Sequence, residues 1–377
     1  GAKAIREADE KMHILQMTIN RQLLKIFPYT DNNTQIRWFC PTDKLPLDMP
    51  DEQSVFIKKT MDYIAELAFT GDVDGLMYTI GKIEEYQHKI AGKWMPPESR
   101  TKAEKLYNTL SYTRIIAMLF ATIGIIAFLF YTMRWVRHKP VLRVVSIILN
   151  ALLAMATVYL TTNIILRGII GGHIPLSNGF ETMQFMALCT LLLTLALQHR
   201  FKLIIPFGFL ISGLALMVSM FSESSPQITH LMPVLSSPLL SMHVCVLMLA
   251  YTLLAFMMLN GITAIIINIH THDSERIGQL YNISRMMLYP ALFLLALGIF
   301  IGAIWANQSW GRYWGWDPKE VWALITMMLY AVPLHGSLFP SLQKPINAHI
   351  YLAAAFLSVL MTYFGVNFLL GGMHSYA

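Results

Sequence analysis

The feature that most constrains the fold is a series of apolar runs that starts near Tyr112 and continues to the C-terminus. Each run is close to the roughly 20 residues that a helix needs to cross a bilayer. The chain is 55% hydrophobic and 13% charged, whereas soluble domains carry about 25% charged residues. We therefore predict an all-α polytopic membrane protein with eight spans, at 114–133, 144–164, 180–197, 203–221, 241–267, 286–304, 319–338 and 346–369.

Residues 1–113 hold most of the charge and predict a small water-facing domain. The segments MDYIAELAF and GLMYTIGKIEEYQHKI have helical periodicity, so this domain is expected to be helical. The chain opens with Gly-Ala-Lys and no signal-like apolar stretch precedes the polar domain. We expect the C-terminal part of a larger polypeptide, with an engineered start as the alternative.

Lysine and arginine in the short connections predict the orientation, because cytoplasmic loops are enriched in both. Nine of them fall in one set of connections, at 134–143, 198–202, 268–285 and 339–345. The alternate connections hold two, Arg167 and Arg312. The first set is predicted to be cytoplasmic, which places residues 1–113, the connection at 305–318 and the C-terminus outside.

The cysteine spacing and the net charge give no support for a disulfide framework, a covalent heme-attachment motif or nucleic-acid binding. The three cysteines, Cys40, Cys189 and Cys245, show no CxxC, CxxCH or zinc-like spacing. The net charge of +6 follows the loops, and no basic face interleaved with aromatic residues indicates nucleic-acid binding.

The stretch WGRYWGWDPKE, Trp310 to Glu320, lies between two apolar runs. Aromatic residues are common at membrane interfaces, but six of them fall within eighteen residues here: Trp305, Trp310, Tyr313, Trp314, Trp316 and Trp322. Gly311 and Gly315 leave room for a flat partner. A planar apolar ligand with a polar edge would match, and Arg312 and Lys319 are placed to meet its carboxylates.

The DPKE part of this stretch has a local explanation. Asp317 can be an N-cap, Pro318 suits the first helical position, and Glu320 stands where a capping box places its acid. Asp317 is thus predicted either to start the next helix or to contact a ligand.

Four histidines fall at positions that suit iron ligation or a site in the membrane. His243 and His374 lie at the outer ends of the fifth and eighth predicted spans, and a histidine pair can hold heme axially. His335 lies about 27 Å along the seventh predicted span, where Pro333 can kink the helix. His173 lies in an outward loop, with Ser177 and Asn178 as caps for the third span. The alternative for His243 and His374 is ordinary hydrogen bonding at the interface. For His335 it is a side chain that extends to the inner interface, and for His173 an ordinary loop position.

These motifs together resemble a known family. The run Trp310-Gly311-x-x-Trp314-x-Trp316-Asp317 is similar to the WWD signature of heme-handling proteins. With GGHIPLSNGFE, PLHG and GMHSYA, residues 112–377 resemble the CcsA (ResC-like) family, the heme-handling half of CcsBA-type system II cytochrome c synthases. Residues 1–113 resemble the extracytoplasmic tail that precedes this half in fused proteins.

The resemblance implies roles for individual residues. Trp310, Trp314, Trp316 and Asp317 would bind heme b at the outer face, with His243 and His374 as axial ligands. His335 matches the histidine of a second heme site within the membrane. Its partner belongs to the CcsB (ResB) portion, and no early span of this chain supplies it.

The implied activity is that of a holocytochrome c synthase of the heme lyase type in the bacterial inner membrane. It would export heme and position it for attachment to the CxxCH motif of apocytochrome c, with no general base nominated. Expected partners are apocytochrome c, a CcsB portion or subunit and membrane lipid, with no nucleic acid. Two alternatives are a bis-histidine diheme cytochrome for electron transfer and a lipid-carrier transporter, although the acidic pair or basic channel expected of the transporter is absent from the sequence.

Overall fold

The computed structural model describes residues 2–30, 36–220, 228 and 237–370. Internal contacts divide the chain into two compact units, Gly1–Glu98 and Ser99–Ala377. The functional boundary at residue 113 stays a prediction.

The first unit combines three helices with a hairpin that the sequence reading did not foresee. Its elements are α1 (Ala2–Ile19), β1 (Phe27–Thr30), β2 (Ile36–Phe39), α2 (Asp51–Thr70) and α3 (Val73–Ala91). The strands are antiparallel, with Phe27 opposite Phe39. Phe27, Ile57 and Ile83 are buried together, so the hairpin and two helices share one small core.

The regular elements described in the second unit are all helices. Its elements are α4 (Glu98–Leu110), α5 (Thr113–Val136), α6 (Arg143–Gly171), α7 (Gly179–Leu197), α8 (Ile204–Ser219), α9 (Pro238–His270), α10 (Ser274–Trp310), α11 (Pro318–Ala331) and α12 (Pro345–Leu360), which continues as a π-helix over Met361–Leu370. This architecture confirms the predicted all-α polytopic membrane fold.

Six helices in the described part of the chain are long and apolar enough to cross a membrane. The predicted spans 203–221 and 319–338 correspond to shorter helices, α8 with 16 residues and α11 with 14. A 3-10 turn over Val332–His335 extends α11, which brings its length to about 29 Å. The count of eight spans stays a prediction.

The structure brings together two connections that the charge pattern assigned to one side. The Arg276 guanidinium at the start of α10 donates to the Trp135 carbonyl at the end of α5. It also donates to His138 Nδ1, at 2.6 Å. The connection between α5 and α6 and the one between α9 and α10 therefore lie at the same end of the helices.

At the opposite end, a buried ion pair joins α6 to α7. Arg167 Nε lies 2.6 Å from Glu181 Oε1, and the two side chains are 1% and 2% exposed. Arg167 also donates to the Tyr107 hydroxyl, and Glu181 Oε2 accepts from Ser177 N–H and Oγ–H at 2.8 and 2.6 Å. Asn178 caps α7 as predicted, because its side chain accepts from Glu181 N–H.

We predict that Glu181→Gln destabilises the second unit by about 3 kcal/mol or more, because it leaves the Arg167 charge buried without a counter-charge. Thermal unfolding in detergent measures the change. The double variant Arg167→Gln/Glu181→Gln should lose less, since neither charge remains. If the single variant were as stable as the native chain, the ion pair would not be holding α6 to α7.

Candidate functional site: an imidazole packed against the helix that leads to an aromatic segment

His243 lies where α9 packs against two glycines of α10. A Cβ built on Gly302 would come within 2.6 Å of His243 Nδ1 and Cε1, and one built on Gly298 within 2.6 Å of Leu247 Cδ2. His243 and Leu247 are one helical turn apart, as are the two glycines, so side chains on α9 fill spaces that small residues leave on α10. We call Gly298 and Gly302 the glycine seat of His243.

The glycine seat also determines which ring nitrogen of His243 carries the proton. His243 Nδ1 lies 2.7 Å from the Gly298 carbonyl oxygen. A carbonyl accepts and never donates, so Nδ1 is the protonated nitrogen and Nε2 holds the lone pair of the neutral ring. Histidines that ligate metals are commonly oriented by such a bond from the second nitrogen.

The helix that contains the glycine seat, α10, also contains the first tryptophans of the aromatic segment. From Gly302, α10 continues for eight residues to Trp310, a rise of about 12 Å. Trp305 is buried and packs edge to face with Trp310, with ring centroids 4.9 Å apart. Gly311 ends the helix at φ 72°, and its N–H bonds the Asn307 carbonyl. The predicted aromatic segment, residues 305–318, therefore begins within α10, and the connecting loop itself covers 311–317.

Trp316 projects from this loop with its side chain facing outward. Its residue is 75% exposed and has φ 56°, a left-handed conformation that costs a bulky residue about 1–3 kcal/mol. The Trp314 and Trp316 rings meet at 89°, with centroids 6.0 Å apart. The Arg312 guanidinium lies against Gly315, 3.2 Å from the position that a Cβ would take. Gly315 thus leaves the space that Arg312 fills.

The capping box predicted for DPKE is present. Asp317 Oδ2 accepts from Lys319 N–H at 3.1 Å, and Pro318 is the first residue of α11. Glu320 Oε2 accepts from Asp317 N–H at 3.2 Å and from Gly315 N–H at 2.8 Å. Asp317 is 5% exposed. Its side chain makes the hydrogen bond of a helix cap.

Glu320 has a larger role than the sequence indicated. The two N–H groups that its carboxylate binds belong to the residues on either side of Trp316. One carboxylate oxygen therefore fixes the backbone before and after the strained residue. We call this arrangement the Glu320 clamp.

His335 lies at the end of α11, as predicted, and its side chain is exposed. Its Nδ1 bonds the Ala331 carbonyl at 3.1 Å. Pro333 ends the α-helix in a 3-10 turn, and the Leu329 carbonyl, four residues before it, accepts from the Tyr351 hydroxyl at 2.9 Å. The helix thus changes to a 3-10 turn around Pro333, while the kink at Pro333 and a ligand role for His335 stay predictions.

Among the described residues, no contact brings His173 to the aromatic segment. His173 follows α6, with its ring over Gly171 and Nδ1 3.0 Å from the Ile174 carbonyl oxygen. His374 lies outside the described residues. The roles of both stay predictions.

Sequence reasoning passed over His349, which is fully buried in α12. Its Nε2 lies 3.3 Å from the Ile277 carbonyl oxygen, and its ring packs against Tyr281 with centroids 6.1 Å apart. A histidine within the apolar run HIYLAAAF was the available signal, because ionisable residues are rare in membrane segments. This residue ties the start of α12 to the start of α10.

Comparison with known proteins identifies the family of the chain. Residues 176–374 match the family described as cytochrome C assembly protein. The matched region covers more than half of the chain and includes α7 to α12. The chain belongs to the cytochrome c assembly protein family. This membership assigns it to cytochrome c biogenesis.

Several members of the family are similar in sequence. Protein NrfI of Wolinella succinogenes is 31% identical over 383 residues, which cover 98% of this chain and 42% of NrfI. Cytochrome c biogenesis protein CcsA of Chlamydomonas reinhardtii is 36% identical over 54% of this chain and 61% of its own length. CcsA of Guillardia theta is 34% identical over 58% of this chain and 82% of its own length. The chain therefore spans less than two thirds of the first two relatives.

We predict that Glu320→Ala releases the backbone around Trp316. Hydrogen bonds to a charged acceptor stabilise by about 1.5–3 kcal/mol, so amide exchange at Gly315 and Asp317 should accelerate by about ten-fold or more. Hydrogen-exchange mass spectrometry of peptides covering residues 311–320 measures it. Glu275→Ala, in the first turn of α10, is the control and should leave those peptides unchanged. Equal exchange in both variants would contradict the Glu320 clamp.

Proposed function

We propose that this chain binds heme on the aromatic segment at the outer membrane face and positions it for attachment to the CxxCH motif of apocytochrome c. This is the activity of a holocytochrome c synthase of the heme lyase type. The observation that carries the proposal is that one helix, α10, holds both the glycine seat of His243 and the start of the aromatic segment. A ring nitrogen suited to iron and a set of flat side chains are thereby held at one end of α10.

His243 is proposed as one axial ligand of the heme iron and His374 as the other. The bond from His243 Nδ1 to the Gly298 carbonyl leaves the lone pair on Nε2, and neutral imidazole is a common iron ligand. The same bond fixes the plane of the ring, which reduces the ordering that ligation would otherwise require.

Trp310, Trp314 and Trp316 are proposed as the flat surface against the porphyrin. The left-handed backbone at Trp316 directs its ring outward, where it is accessible to a planar substrate. Arg312 and Lys319 are proposed to meet the heme carboxylates, since guanidinium and ammonium groups pair with carboxylates. Asp317 is proposed to support this surface as the helix cap.

The protein's contribution to attachment would be positioning. In each attachment, a cysteine S–H adds across the C=C bond of a heme vinyl group. A covalent C–S bond forms at one vinyl carbon and a covalent C–H bond forms at the other. Holding both reactants makes the encounter effectively intramolecular, which can contribute about 7–11 kcal/mol to lowering the barrier. We assign no side chain of this chain as a general base.

The route of heme is proposed from the cytoplasmic side of the bacterial inner membrane outward. His335, at the other end of α11 from the aromatic segment, is proposed as an iron ligand along this route, with a CcsB portion or subunit supplying its partner. The basic connections set the proposed orientation, with the aromatic segment outside. Family membership does not favour the alternative of a permanent diheme cytochrome for electron transfer.

We predict that His243→Gly lowers the heme that copurifies with the chain by at least about five-fold, because an axial ligand is removed. Added imidazole should restore heme binding by occupying the space left by the side chain. The absorption spectrum of the purified protein measures both effects. His270→Gly, at the opposite end of α9, is the matched control and should keep its heme. Unchanged heme in His243→Gly would contradict the ligand role.

We predict that Gly302→Ala also lowers heme retention by several-fold, because the new Cβ would displace the His243 ring. Alanine favours a helix over glycine by about 1 kcal/mol, so helix stability alone would not produce this loss. Gly278→Ala is the control on the same helix, since nothing lies within 4 Å of its Cβ position. Measuring heme content and thermal stability for each variant separates displacement of the His243 ring from a change in helix stability. Similar heme in both variants would argue against the glycine seat.

A further inference from the structure

A second site lies at the other end of the helices, away from the aromatic segment. Here α5, α8, α9 and α10 enclose a cavity of about 730 Å³, which the connections after α5 and α7 border. It is lined by apolar side chains, several polar ones and three cations. The site is independent of His243 and of the tryptophans of the aromatic segment, because none of those residues lines it.

The mouth of the cavity is basic. Lys139, Arg200 and Lys202 line it and are exposed, and no aspartate or glutamate is among its lining residues. The structure shows no ion pair for these three side chains within its described residues. The neighbouring Arg276 differs, because it pairs with Asp273 at 3.1 Å and lies over the Trp135 ring at 5.6 Å. Three positive charges at one opening favour an anionic group there.

The interior of the cavity is apolar. Phe207, Phe256 and Met287 are buried and form part of its wall. Tyr131 also lines it, and its buried hydroxyl makes no well-aligned hydrogen bond with any described residue, although Ser146 lies in its neighbourhood. An occupant that satisfies both regions has an anionic head and a hydrocarbon chain.

An anionic lipid meets these requirements better than heme does. No histidine or cysteine lines the cavity, so the usual nitrogen and thiolate ligands of heme iron are lacking. Trp135 stands at the wall, and tryptophan is enriched at the level of lipid headgroups. Basic pockets between membrane helices on the cytoplasmic side are suited to anionic headgroups.

We propose that this cavity binds one anionic glycerophospholipid. Its phosphate lies among Lys139, Arg200 and Lys202, and one acyl chain extends along Phe207, Phe256 and Met287. The bound lipid fills the space between the ends of α5, α8 and α10 and contacts all three helices.

Native mass spectrometry of this chain in detergent tests the proposal, with phosphatidylglycerol and phosphatidylcholine as probes. The native chain should retain phosphatidylglycerol over phosphatidylcholine. The triple variant Lys139→Gln/Arg200→Gln/Lys202→Gln should bind phosphatidylglycerol at least about ten-fold more weakly. The control Arg137→Gln/Arg143→Gln/Lys344→Gln removes the same charge from the same end of the helices and should change binding less than about two-fold.

A second variant tests the interior. Met286→Trp places a larger side chain at an exposed position of the wall and should reduce retention without removing charge. Equal losses in both charge variants would overturn the proposal, because they would indicate attraction to the whole surface. Stoichiometric displacement of the lipid by added hemin would also overturn it, since the cavity would then be a heme site. Retained lipid in His243→Gly would support it as a site separate from the proposed heme site.

Discussion

The packing of α9 on α10 determines the arrangement of the candidate site. In lipid, no large hydrophobic driving force brings two apolar helices together, so close approach at small residues carries much of the association. Gly298 and Gly302 permit that approach, and the His243 ring occupies the space that their missing side chains leave. The helix that supplies the glycines then continues into the tryptophans. The interface between α9 and α10 thereby determines the tautomer of the His243 ring. It also determines how far the ring lies from the aromatic surface at the end of α10.

The second determinant is the Glu320 clamp. A capping box normally satisfies the N-terminal amides of a helix, and here it also binds the amide of Gly315 in the loop before the helix. The start of α11 and the conformation of Trp316 are consequently established by the same carboxylate. This coupling constrains the backbone of a loop that contains Gly311 and Gly315.

Much of this arrangement was predictable because its signals are local. Apolar runs predicted the helices, DPKE predicted the cap, and the Asn178 cap followed from a turn-rich loop before an apolar run. The pairing of Arg167 with Glu181 was not predictable, since it depends on how α6 and α7 face each other in space. The hairpin at Phe27 also escaped notice, because a four-residue strand carries too little periodicity to distinguish it from a loop.

The candidate site shows the same division between local and spatial information. The aromatic residues and His243 were identifiable by type and position, whereas the glycine seat required knowledge of which helix faces α9. The role of the fully buried His349 was not predictable, because nothing in its own helix shows which carbonyl its ring contacts. Its contact with the Ile277 carbonyl joins segments more than seventy residues apart, a distance that no sequence window covers.

The outward ring of Trp316 has a thermodynamic consequence. The Glu320 clamp holds the left-handed backbone of Trp316 in place, but the aromatic surface of the side chain stays exposed to water. Any flat molecule that covers it selectively stabilises the folded loop, and by linkage the stabilisation grows with the ratio of ligand concentration to dissociation constant. Loss of such a molecule would remove that stabilisation. The loop is therefore built so that occupancy and local stability rise and fall together.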